Sequence, residues 1–253
     1  HDNWLNAPAS LSNLHGVVTS ATKDAQSAEA NSLPQSTRKK RHLFLYWTGI
    51  SFTLIQVLRD LIHHHASSGI GYTVHLITHD NVHEYVPDLP SCFFQLSPAH
   101  QADVVRVFVI CDRGGVWMDS DTLVLKSLDT IFDLVDKGGF FIQENNKVLC
   151  NGVFGSPKGT ALMIEWKKCL LDVLAQKQEK IKWVEIGSGL LNQMQKNLYN
   201  KYTILAGLDT VYPVNYDKCV ESYIKQPFKS YVNYIRKFQP FLILVNPVYR
   251  SLN

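Results

Sequence analysis

No window of the chain approaches the ~20 consecutive apolar residues that a membrane-spanning helix needs. Apolar residues make up 45% of it and charged residues 19%, the balance of a folded globular domain. An excess of one charge is missing too. The chain has 25 Lys and Arg against 22 Asp and Glu, a net charge of +3, which gives no support to nucleic acid as a main partner. A Gly-rich phosphate loop is absent, which argues against a phosphotransferase built on one. Cysteine is sparse and scattered: Cys92, Cys111, Cys150, Cys169 and Cys219 form no C-x-x-C pair, so a zinc site is disfavoured and reduced thiols, mostly in cores, are expected. No Asn begins an Asn-x-Ser/Thr acceptor. Both features lean weakly toward a reducing, cytoplasmic compartment. The chain opens at His1 rather than Met, so a signal or anchor upstream stays an open matter.

At 253 residues the chain suits one large α/β domain or a domain with a tail. Residues 1–38 are polar, rich in small residues and without an aromatic after Trp4; they read as a tail or linker. The basic run Arg38-Lys39-Lys40-Arg41 has two readings: attraction to an anionic membrane or acceptor, or, more commonly, a solvated lead-in to a strand. His42–Thr48 is nearly all apolar and reads as a buried strand. Gly49 ends it, and Ser51 is an N-cap for a helix running to about His65. His63, His64 and His65 step ~100° apart around that helix, so they cannot all face one ion and read as a polar helix end. Tyr72–Thr78 is a second strand, Val82–Val86 one helical turn, and Phe93, Phe94 and Leu96 a short strand. Further on, strands are expected at Phe140–Gln143, Val148–Gly155, Thr203–Leu205 and Phe241–Val245. Helices are expected at Leu128–Val135, from Thr160 to about Leu174, and up to about Leu198. The aromatic-rich stretch Lys218–Pro240 reads as a helix lying on the core or on a membrane.

The rest is organised around Gln101–Leu128 (QADVVRVFVICDRGGVWMDSDTLVLKSL). Asp103 to Ile110 read as a helix with one polar edge, on which Asp103 and Arg106, three apart, share a face. Gly114 and Gly115 stop that helix. Val116, Trp117 and Met118 then read as a short buried strand that delivers Asp119-Ser120-Asp121 to its end, where ligands collect in α/β sheets. Two carboxylates at i and i+2 suit a hard divalent cation, which takes carboxylates together with substrate phosphates. The bland alternative is a solvated turn. For Asp103 and Arg106 it is an exposed ion pair worth a few tenths of a kcal/mol.

Asp103-x-x-Arg106 followed by Gly114-Gly115-Val116-Trp117-x-Asp119-x-Asp121 resembles the DXD region of retaining glycosyltransferases. These include the α-1,4-galactosyltransferases, the initiating α-1,6-mannosyltransferases, capsular polysaccharide synthesis proteins and, more distantly, glucosylating toxins. The likeness continues through Val124-Leu125-Lys126-Ser127-Leu128. It implies a GT-A, Rossmann-like α/β fold: a single domain at 39–253 with a mixed, mostly parallel sheet flanked by helices. It also implies Mn²⁺ or Mg²⁺, and a nucleotide-sugar donor, most often a UDP-sugar and next a GDP-sugar.

Residue by residue, the resemblance makes Asp121 the direct metal ligand and has Asp119 bridge metal and ribose, with Ser120 in the same donor-binding set. Asp103 would meet ribose or base, while Arg106 would meet the diphosphate or support the carboxylates. Trp47, in Tyr46-Trp47-Thr48-Gly49, would stack on the base, its plainer role being core packing. Asn151, in Asn151-Gly152-Val153-Phe154, would lie below the sugar at the reacting face, with Gln143 and Glu144 as weaker candidates; alternatively it satisfies a buried backbone group. Gly187 would let backbone N–H groups approach sugar or phosphate, although Ser188 stands where Pro is usual, and Glu185 would touch the sugar or be a loop charge. Many members place a metal-binding His near the C-terminal end; here the aligned run is Ile243-Leu244-Val245-Asn246, and Asn246 is the candidate substitute. The acceptor would be a glycan or protein. Membrane association would come through an upstream segment or the basic run, and a removed N-terminal anchor would fit the Golgi lumen. The missing His favours a second class, a non-catalytic nucleotide-sugar or carbohydrate-binding module.

Overall fold

The computed structural model describes residues 40–49, 53–66, 71–144, 147–176, 181–194, 201–211 and 239–243. The expectations for residues 1–38, Ser51, the end of the helix near Leu198, most of Lys218–Pro240, and Asn246 lie outside the described residues. The first apolar run forms β1 (His42–Tyr46), followed by α1 (Thr53–Ala66), β2 (Thr73–Ile77) and the one-turn α2 (Val82–Tyr85). Next come α3 (Pro98–Arg113), β3 (Gly115–Met118), β4 (Thr122–Val124), α4 (Asp129–Asp136), β5 (Phe140–Gln143), β6 (Leu149–Ser156) and α5 (Ala161–Gln176). A π-type turn at Glu185–Gly189 leads into α6 (Leu190–Gln193), then β7 (Thr203–Ala206), α7 (Gly207–Thr210) and β8 (Phe241–Ile243).

Six strands form one sheet in the order β2-β1-β3-β6-β5-β7, and β4 pairs with β8 in a second. β1 is parallel to β2 and β3, and β5 to β7, whereas β6 runs antiparallel to β3 and β5. Alternation along the strands sends residues to two cores. Phe44, Tyr46, Trp117, Phe141 and Phe154 face α3 and α5. Leu43, Leu45, Val116, Met118 and Ile142 face α1 and α4, where Ile62, Ile131 and Phe132 are buried. The result is the mixed, mostly parallel α/β architecture expected. His63 and His64 are exposed in the last turn of α1, as a polar helix end should be.

One expectation fails. Phe93–Gln95 is a 3₁₀ turn, not a strand. Phe93 N–H donates to the Pro90 carbonyl, Gln95 N–H to Cys92 and Leu96 N–H to Phe93. Residues three apart share a side of such a turn, so Phe93 and Leu96 are buried while Phe94 stays 52% exposed. Three apolar residues in four therefore mimicked a strand.

The topology sets one sheet edge apart. Parallel β1 and β3 end there, at Tyr46 and Met118, and antiparallel β6 begins there, with Met118 opposite Val153. The β4–β8 ladder adds the C-terminal segment, pairing Thr122, the residue after Asp121, with Ile243.

Candidate active site

α3 supplies the site's polar floor. Ser97 caps it, its hydroxyl accepting from His100 N–H at 3.3 Å, and Pro98 occupies the first turn. Gly114, at φ 71°, ends the helix; a Cβ there would lie 2.6 Å from Lys158 N. Buried on every side, α3 holds Val104 to Cys111 out of water, but its first half also buries His100, Gln101, Asp103 and Arg106. Buried polar groups must be paired, and the pairing brings most of the expected site together.

Arg106 is the hub. Its Nε donates to the Ala102 carbonyl at 3.2 Å and lies 3.4 Å from Asp103 Oδ1. Nη1 donates to the Asn151 carbonyl at 2.6 Å, and Nη2 reaches Asp119 Oδ1 at 3.1 Å. The guanidinium lies over Trp117, 5.2 Å from the ring centroid. All three guanidinium nitrogens thus meet oxygens of the site's own residues.

Asp119 follows β3 directly. Its N–H donates to the Gly152 carbonyl at 2.7 Å, continuing the β3–β6 ladder, and its carbonyl accepts from Thr122 N–H at 3.1 Å. Trp117 Nε1 donates to Asp119 Oδ1 at 2.9 Å. Oδ1 thus takes both donors, while Oδ2 lies beside Gly152, where a Cβ would come within 3.0 Å. Ser120 gives its hydroxyl proton to the Tyr46 carbonyl at 2.7 Å, which ties the Asp119-Ser120-Asp121 turn to the end of β1. Asp121 is half-buried.

Asn151, on β6, donates its amide to Asp103 Oδ1 at 2.9 Å. Gly187 packs on the same pair: a Cβ there would stand 2.4 Å from Asp103 Oδ1 and 2.6 Å from Asn151 Nδ2. Close approach of two polar side chains is therefore what requires glycine at this point of the turn. Trp47 lies half-buried just past β1, its backbone N–H donating to the Ile77 carbonyl at 2.9 Å, on the same sheet edge. Gln143 donates to the Lys147 carbonyl and Glu185 accepts from Lys182 N–H.

The electrostatics follow from burial. Desolvation pushes the Asp103 carboxyl up to about 6; the Arg106 charge pulls against it, the Asp119 charge adds to it, and His100 and the Asn151 amide pull down. Desolvation also raises Asp119, against Arg106 and the Trp117 N–H. Protein packs around Asp119 on most sides, yet 34% of its side chain meets solvent. The carboxylate therefore keeps an open face. A divalent cation on that face would reverse the raised proton affinity and bind Asp119 and Asp121 with oxygen ligands. Among the described residues no group of three His, Cys, Asp or Glu is placed to hold a metal; diphosphate, water or a residue beyond the described ones would supply the remaining ligands. On those terms the residues fit a cation that arrives with its substrate.

Sequence reasoning missed several contributors. Asn192 on α6 accepts from Leu149 N–H at 2.8 Å and donates to the Leu149 carbonyl at 3.0 Å, and its amide also reaches the Ser188 carbonyl, so it clamps the start of β6 to the turn carrying Gly187. Gln101 and His79 join across the sheet edge at 2.9 Å. Only the polar character of Gln101 inside a buried helix carried any signal.

A profile of the capsular polysaccharide synthesis protein family matches residues 10–237. No curated protein matches the chain. Among solved structures, the apo-form glycosyltransferase GlyE of Streptococcus pneumoniae TIGR4 superposes with a TM-score of 0.50 at 14% identity, covering 82% of this chain and 55% of that one. The apo bifunctional glycosyltransferase WbbM gives a TM-score of 0.50 at 14% identity, over 85% of this chain and 47% of that one. The chain spans about half the length of both. The chain belongs to the capsular polysaccharide synthesis protein family, and its fold is the GT-A glycosyltransferase fold that its run from Gly114 to Asp121 implied.

Proposed function

We propose that the chain transfers a hexose from a nucleotide-sugar, a UDP-sugar before a GDP-sugar, to a glycan or protein acceptor, with retention of configuration. The observation that carries this reading is the Arg106 fork, which joins Asp119 at the end of β3 to Asn151 at the start of β6 where the sheet opens. Mn²⁺ or Mg²⁺ held by Asp119 and Asp121 would neutralise the diphosphate as it leaves the sugar. Arg106 favours the charged form of Asp119 against the desolvation that raises it, and would steady the diphosphate. Asp103 and Asn151 brace each other under the pocket, with Asn151 nearest the reacting face, and Gly187 lets the turn close over them. Trp47 offers a ring to the base, and Ser120 holds the turn against β1. Asn246 would complete the metal shell. Catalysis would be mostly positioning and leaving-group stabilisation. Residues 39–253 would form the catalytic domain behind a tail at 1–38.

A thermal-shift panel of UDP- and GDP-sugars with and without Mn²⁺ tests the donor, since ligand binding raises stability by mass action. Asp121→Asn should abolish transfer and leave the melting temperature of the free protein unchanged; retained turnover would overturn the metal role. The run Ile243-Leu244-Val245-Asn246, with no His where many members place one, favours a second reading, a binding module. Donor binding with neither transfer nor hydrolysis would select it.

A further inference from the structure

A chain of hydrogen bonds outside the aspartate cluster ends on an exposed ring at the same sheet edge. Gln101 is buried on α3, and its amide nitrogen donates to the Phe93 carbonyl at 3.3 Å. That carbonyl carries only lone pairs, so the nitrogen must face it and Oε1 must face the other way. There Oε1 meets two groups: the Tyr46 hydroxyl at 2.8 Å and His79 Nε2 at 2.9 Å. The Tyr46 phenol is held protonated, because burial raises its pKa, and it donates. A carboxamide oxygen can only accept, so His79 Nε2 must carry a proton. In a neutral imidazole the other nitrogen is then a bare acceptor.

That acceptor, His79 Nδ1, sits 3.4 Å from Thr48 Oγ1. The contact is long, so a ligand can compete for it, while the Thr48 hydroxyl also bonds to the Tyr46 phenol. His79 follows β2 and Thr48 follows β1, with Trp47 beside Thr48. The Tyr46 carbonyl that accepts from Ser120 links this corner to the aspartate turn. Phe94 packs edge-on against the His79 ring, at 5.4 Å between centroids, and limits its swing. The corner therefore displays one acceptor, fixed from the core, beside a hydroxyl that can donate or accept.

We propose that the Tyr46–Gln101–His79 relay makes His79 and Thr48 a base-reading pair, selecting bases that present a ring N–H next to a carbonyl. Uracil offers N3–H beside C4=O, and guanine N1–H beside C6=O. Cytosine and adenine present a bare ring nitrogen beside an amino group, and would set acceptor against acceptor at His79 Nδ1, whichever way the Thr48 hydroxyl turns. The inference rests on the donor reading above and narrows it to imide or lactam bases. His79 touches the base, while Gln101 and Tyr46 act through it as positioning residues.

Calorimetric titration of the full chain with UDP, GDP, CDP and ADP, in the presence of Mn²⁺, tests it. UDP should bind about tenfold or more tighter than CDP, or GDP than ADP, and the arm that shows the gap identifies the base. His79→Phe keeps the ring against Phe94 and should weaken the favoured diphosphate about tenfold while leaving CDP and ADP unchanged. Ring-nitrogen NMR of His79 should show the proton on Nε2 in the wild type, with a mixture of tautomers in Gln101→Met. Equal binding of all four diphosphates, an unchanged ratio in His79→Phe, or a proton on Nδ1 would each overturn the proposal. If no diphosphate binds the wild type, the donor reading itself fails, and the NMR result separately reports whether the relay exists.

Discussion

Arg41 and Arg106 each gather more than one carboxylate. Arg41 precedes β1 and reaches one face of α4: Asp129 at 3.1 Å, Asp133 at 2.6 Å and Asp136 at 3.8 Å, with its guanidinium over Phe132. Those partners keep 29%, 52% and 41% of their side chains exposed. Arg106 joins Asp103 and Asp119 in a setting where its own side chain is 6% exposed and that of Asp103 is 8%. The chemistry of the pairs is the same, but water separates their roles. Around Arg41 the carboxylates remain hydrated, so the cluster adds little beyond pinning α4 to β1. Around Arg106 the charges depend on one another, because little water can replace a missing partner. A raised carboxyl at Asp103 and at Asp119 is the trace of that dependence. A site meant to take a cation needs carboxylates with unmet demand for positive charge; a structural clamp does not.

Removing each part should show the contrast. Arg106→Met has the largest expected effect: it leaves Asp103 buried and Asp119 half-buried without their cation, costing about 3–5 kcal/mol by denaturant unfolding and abolishing donor binding. Gly187→Ala places a methyl where Asp103 and Asn151 already sit. A loss of about 3 kcal/mol and a large fall in turnover are expected, with neither restored by added Mn²⁺. Asp103→Asn gives a pH-dependent result. Burial lifts the native carboxyl to about 6, above the 3.8 of a free aspartate, so folding favours the acid form. The stability it contributes is whole below about pH 3.8 and is lost as pH rises through 6. The variant should therefore be more stable than the wild type by about 2 kcal/mol above pH 6, and the gain should vanish toward pH 4. Arg41→Ala, at the hydrated cluster, should cost about 1 kcal/mol or less and lose part of that difference in high salt, with turnover unchanged. If Arg41→Ala proved as costly as Arg106→Met, the contrast between the clusters would collapse.

Much of the fold could be read in advance, for local reasons. Gly114 and Gly115 stop a helix because both adopt positive φ, and the apolar triplet after them had to be a strand. Strands at β1, β2, β5, β6 and β7 announced themselves by apolar runs bounded by turn residues. The Phe93–Leu96 segment misled because spacing alone does not separate a short strand from a 3₁₀ turn. The site was legible as a set of residues and opaque as an arrangement. Helix spacing put Asp103 and Arg106 on one face, yet nothing local says that an Arg106 amine meets the carbonyl of Asn151, 45 positions on. Gly187 looked like an opening for a ligand, whereas its missing Cβ first of all makes room for Asp103 and Asn151. Gln101 drew no notice at all.

By itself, then, the sequence determined the order of strands and helices, the place where α3 must stop, and the delivery of two aspartates to a strand end. These depend on residues within a few positions of one another, through periodicity, φ preference and capping. Only the tertiary structure decided which charges share a dry environment, which amide faces which ring, and which glycine has no room for a methyl. Those depend on the register of β3 against β6 and on the loss of water when α3 is buried, and neither is a property of any short stretch of chain.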